Sequence, residues 1–181
     1  MKLNRAVSLV APALLSAAMF FPAVLRAGQT TDSPEISKLL ADAKAEAIEL
    51  KADSADLDSF VRSNLNWTTH AKKIGLIKDH VNNTGKLLAK LKNAGSLGSP
   101  WQQTAIARIE PLLRELAANT ETVIQRLNEN SAKIHFPEYR ACVKAHYELA
   151  SDLEALIRDF VSYGETKEKL DRLQRKLEVT D

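Results

Sequence analysis

Between residues 136 and 160 the side chains of Phe136, Tyr139, Val143, His146, Ala150, Leu153, Ile157 and Phe160 recur at alternating spacings of three and four. An α-helix turns once in about 3.6 residues, so this spacing gathers all eight on one face. A face of that width is stable only when buried, and three other segments carry the same rhythm. The expected fold is therefore all-α, an up-down-up-down antiparallel four-helix bundle, with short connections making consecutive helices neighbours.

Ser33 reads as an N-cap with Pro34 at the first helical position, opening a helix to about Val61 with Ile36, Leu40, Ala43, Ala47, Leu50, Leu57 and Val61 on its apolar face. Ser54 interrupts that stripe. Asp42, Glu46, Glu49, Asp53 and Asp56 form an acidic ridge beside it, which Lys72, Lys86 and Lys90 of the second helix can partly complement. The second helix is expected over 67–93 with Trp67, His70, Ile74, Ile77, Val81, Thr84, Leu88 and Leu91 inward, and the Ala94–Gly98 segment breaks it. The strongest local signal is Ser99-Pro100-Trp101-Gln102, an N-cap serine, a first-turn proline and a capping-box glutamine. The third helix starts there and points Trp101, Ala105, Ile109, Leu112, Leu116, Asn119, Val123 and Leu127 inward. Pro111 removes one of its backbone donors, which predicts a kink over 107–111 or a split into two shorter helices.

Pro137 opens the fourth helix. It has no clear stop at Gly164, because Leu170, Leu173 and Leu177 resume a helical rhythm. Residues 165–181 therefore form a charged helical extension that outruns the other helices. Its expected fates are packing on the lead-in, projecting into solvent, or pairing with another chain.

The chain begins with Lys2 and Arg5 ahead of an uncharged apolar run, Ala6 to Leu25, followed by Arg26, Ala27 and Gly28. Residues 1–27 read as a signal peptide, or as an uncleaved membrane anchor, and residues 28–181 as a single domain. Both alternatives export the domain, which is then periplasmic or secreted. Residues 1–27 hold three basic and no acidic side chains, so the remainder carries 22 Lys and Arg against 23 Asp and Glu, a net of −1. That near-neutral balance gives no electrostatic basis for nucleic-acid binding. Cys142 is the only cysteine, so no disulfide forms within the chain, and both methionines, Met1 and Met19, fall in the leader. A mature His/Met haem ligation is thereby excluded.

Three features bear on chemistry. Rises counted back from the turns place Asp58 near His70, and Ser54 and Asn119 near His146, with Cys142 one turn before His146. A transition-metal site would use His70, His146 and either Cys142 or Asp58; the competing reading is a buried hydrogen-bonded network that fixes helix register. Helix-based Glu-x-x-His pairs are absent, and so are a Gly-x-Ser-x-Gly elbow, a phosphate-cradling glycine loop and a His-Glu-x-x-His pair. His80 and His135 are expected to meet solvent. The resulting expectation is an exported, non-enzymatic helical-bundle protein without a cofactor, acting as a binding or structural module in the cell envelope. Its partner would be an unidentified protein or envelope component, or a second copy paired through the extension. The alternative is a metal- or cofactor-binding bundle built on the core histidines.

Overall fold

The computed structural model describes residues 31–63, 65–129 and 134–177. The leader reading, residues 1–27, lies outside them, as do the last four residues of the extension. Four helices, α1 (Pro34–Phe60), α2 (Trp67–Ala94), α3 (Pro100–Glu129) and α4 (Pro137–Leu177), form an antiparallel four-helix bundle. Each helix packs on its sequence neighbours, and α1 closes the ring against α4. Ile36, Leu50, Ile77, Ile109, Leu116 and Ile157 are among the fully buried residues of the single core. No helix among the described residues is long and apolar enough to cross a membrane.

The helix starts follow from local chemistry. The Ser33 side chain accepts from the Ile36 amide with Pro34 next in the chain, and the Asn66 side chain accepts from the Thr69 amide to open α2. A 3₁₀ turn, Gly95–Leu97, leads from α2 to the Ser99-Pro100 start of α3. The helix α3 continues through Pro111 as one element rather than two. Both Pro111 and Ala107, whose carbonyl the proline leaves without a helical donor, are exposed, so the orphaned acceptor is open to solvent.

The inward face of α3 is rotated from the expected one. Gln102, Leu113 and Thr120 are buried where Trp101, Leu112 and Asn119 were expected, and those three are only half-buried. A stripe of spacings three and four is satisfied nearly as well one residue over, and the packing of α4 selects between the two. The acidic ridge of α1 is also matched differently. Lys73 Nζ donates to Asp53 at 2.8 Å and Asp56 at 2.9 Å, and His80 Nδ1 lies 2.8 Å from Glu46, so Lys73 and His80 take the place given to Lys72, Lys86 and Lys90. His80 is half-buried between helices, while His135 is exposed as expected.

Candidate functional site

The two core histidines occupy separate levels of the bundle. His70 on α2 is buried between the rings of Phe60 and Tyr139, with a hydrogen bond of 3.1 Å between Nδ1 and the Tyr139 hydroxyl. Burial, helped by the nearby His135, holds its pKa below the ordinary histidine value, and burial raises that of Tyr139. His146 on α4 is bonded through Nε2 to Thr120 Oγ1 at 2.9 Å. Thr120 spends its single hydroxyl proton on the Leu116 carbonyl at 2.8 Å, so it must accept here, and His146 is the Nε2–H tautomer. Its Nδ1 lone pair is buried with no hydrogen-bond partner among the described residues, as is His70 Nε2. Burial pulls the His146 pKa down to about 4.

This geometry does not assemble the four candidate ligands. Tyr139 and His146 are seven residues apart on one helix, which separates the two histidine networks by roughly 10 Å. A shared ion needs both nitrogens within about 2.1 Å of it. Asp58 is ion-paired with Arg62, in the turn just past the end of α1, and Cys142 is half-buried against the core. Ser54 bonds back to the Leu50 carbonyl at 2.6 Å instead of to His146. Among the described residues no three His, Cys, Asp or Glu side chains are grouped to hold a metal. What the residues do form is a pair of buried polar contacts tying α2 and α3 to α4.

The opposite pole is more elaborate. Gln102 is fully buried and joins the starts of two helices. Its Oε1 accepts from the Ser99 amide at 3.0 Å, as a capping box requires, and also from the Ser33 amide at 2.9 Å. Its Nε2 donates to the Ser33 carbonyl at 2.9 Å and to Ser37 Oγ at 3.0 Å. Beside it, Trp101 Nε1 donates to Asp32 at 2.7 Å, and Lys167 of α4 donates to the same carboxylate at 3.0 Å. Burial alone would raise the Asp32 pKa, but the hydrogen bonds from Ser99, Lys167 and Trp101 outweigh it and hold the carboxyl below its ordinary value. Hydrogen bonding to Asp32 raises that of Lys167. The Trp101 ring covers Gly164, where a Cβ would come within 2.8 Å of it, and meets Tyr163 edge-on at 5.4 Å. The extension of α4 is thus latched to the lead-in at its first turn. A groove of about 1060 Å³ runs along this seam, floored by Leu40, Ala41 and Trp101 and walled by Glu168, Asp171 and Arg175.

Beyond the latch the helix changes phase. Val143, His146, Ala150, Leu153, Ile157 and Val161 are buried, and the same spacing continues through Gly164, Glu168, Asp171 and Arg175, all on the groove. The leucines of the extension lie roughly 150° round the helix from that line. Leu170, Leu173 and Leu177 are 54%, 45% and 66% exposed. The sequence rhythm gave their helix correctly; their direction follows only from their phase relative to Val161.

No family model, curated protein or solved structure matches this chain.

Proposed function

We propose that the protein is an exported, non-enzymatic binding module of the cell envelope, and that its working surface is the outer face of the α4 extension. The observation that carries this reading is the exposed stripe Leu170, Leu173 and Leu177 on a helix that its own bundle holds through Trp101 on Gly164 and Lys167 on Asp32. Three leucines in line on a fixed helix are costly to leave in water, about 1.5–3 kcal/mol each for full burial, and helix-in-groove recognition uses this spacing of anchors. Export is supported by the basic, then apolar, then small-residue order of the first 27 residues. A binding role is further supported by the polar contacts at the two poles, which serve as caps, ion pairs and helix contacts.

The test introduces a photo-crosslinking residue at Leu173 in intact cells, with a second chain ending at Lys167 that keeps the latch. Crosslinks from Leu173 to an envelope component or to a second copy of the chain, together with retained helicity and lost association in the shortened chain, are expected. A Leu173 position that crosslinks to nothing, in a chain correctly exported, would falsify the reading. Sequencing the N-terminus of the exported protein checks the compartment.

A further inference from the structure

We infer that the leucine stripe of α4 packs on the outer face of α1 of a second copy, so that two chains exchange their extensions about a two-fold axis. This rests on the binding reading above and names the partner.

The stripe itself has coiled-coil spacing. With Leu170 and Leu177 at a and Leu173 at d, the flanking e and g positions are Lys167, Gln174, Lys169 and Lys176. Two extensions paired with each other would therefore set basic flanks together with no acidic residue to answer them. The outer face of α1 answers them. Ala41, Ala45 and Ala52 are exposed there, with Ile48 44% exposed, at spacings of four, three and four. Taking Ala45 and Ala52 as a and Ala41 and Ile48 as d, the e positions are Asp42, Glu49 and Asp56, and the g positions are Lys44 and Lys51.

In a parallel pair each g residue meets the e residue five positions further along the partner. Setting Leu170 beside Ala45, Leu173 beside Ile48 and Leu177 beside Ala52 then brings Lys169 to Glu49 and Lys176 to Asp56, whose carboxylate it shares with Lys73. Large side chains face small ones at both a layers, which lets the helices approach closely. An antiparallel pairing instead sets Lys169 and Lys176 against Lys44 and Lys51. Charge therefore selects the parallel arrangement. The topology selects it too: α4 leaves the bundle at the pole where α1 begins, so across a two-fold axis an extension enters alongside the partner's α1 in the same direction. Lys169, Lys176 and Glu49 have no ion-pair partner among the described residues, and the exchange is isologous, so each contact occurs twice.

Sedimentation equilibrium of the purified protein is expected to show a concentration-dependent dimer. Leu173→Glu and Ile48→Glu, both at exposed positions, should each give a monomer with unchanged helicity. Lys169→Glu and Glu49→Lys should each weaken dimerisation roughly tenfold, and the double reversal should restore it to within about threefold. A chain that stays monomeric at concentrations on the order of 100 μM overturns the pairing, as does a dimer that survives Ile48→Glu or a double reversal no tighter than the singles. If the chain is monomeric while Leu173 still crosslinks to envelope components, the binding reading stands and this partner is wrong. If both fail, both fall.

Discussion

The bare Nδ1 of His146 makes the fold acid-labile in a defined window. Its pKa is about 4 in the bundle against an ordinary value of 6.5. The group is therefore held neutral by folding, and its stabilising contribution is complete above pH 6.5 and is lost as pH falls toward 4. A difference of that size amounts to about 3 kcal/mol when fully expressed, at about 1.4 kcal/mol for each unit. Roughly 1 kcal/mol is gone by pH 5.5 and between 2 and 3 by pH 4.5. Such a loss is a large share of the 5–15 kcal/mol typical of a folded domain. The measurement is urea unfolding, followed by circular dichroism, of the wild type and His146→Leu from pH 7.5 to 4.5. Carboxylate titrations are common to both proteins and cancel in the difference. The variant leaves Thr120 still donating to the Leu116 carbonyl, so its fold is retained. The stability of the wild type relative to the variant should fall by about 2–3 kcal/mol as pH drops across the range. Parallel curves would show that the imidazole is reached by water or finds a partner on protonation, and the argument from burial would be wrong.

Other substitutions test the opposite pole and the helix surfaces. Gln102→Ala strips partners from the Ser33 and Ser99 amides and the Ser33 carbonyl, and should cost about 2–4 kcal/mol in urea unfolding. Gly75→Ala and Gly85→Ala meet nothing within 4 Å and should each stabilise the protein by about 0.5–1 kcal/mol, raising the melting temperature. Gly164→Ala has the same intrinsic gain but drives a methyl into the Trp101 ring at 2.8 Å, so it should lower the melting temperature and shift the tryptophan emission as the indole leaves Asp32.

The helix starts were legible because each is a local event: Ser33-Pro34, Ser99-Pro100 and Pro137 carry their own capping chemistry. The face of α3 was legible only to within one residue, since Asn119 and Thr120 both continue a three-four stripe and only the position of His146 on another helix decides between them. The same limit hid His80, which looks like a surface residue on α2 until α1 brings Glu46 within 2.8 Å. Counting rises named Asp58, Ser54 and Asn119 as neighbours of the histidines, whereas the residues that bond them are Tyr139 and Thr120, because a count along the axis fixes height but not the direction in which a side chain points. Gln102 was recognisable as a cap, yet its second set of bonds, to Ser33 and Ser37, depends on α1 starting at the same height as α3.

The phase change in α4 gives one helix a buried stripe as far as Val161 and an exposed leucine stripe beyond it. A segment of fourteen residues such as 164–177 is marginal as an isolated helix, since nucleation is costly. Here it needs no nucleus, because it propagates from a helix already packed as far as Val161, and Lys167 fixes its first turn to Asp32. Beyond that turn no apolar side chain continues the buried line. The positions that continue the buried line carry Glu168, Asp171 and Arg175, whose burial without partners would cost several kcal/mol each. Moving the leucines to those positions would extend the core by two turns and leave a plain surface outside. The order found does the reverse, with charged side chains at the positions that continue the buried line and the leucines off it. A frayed tail has no reason to keep three leucines in line over two turns, whereas the proposed helix-docking surface needs that alignment and needs the latch that holds it still.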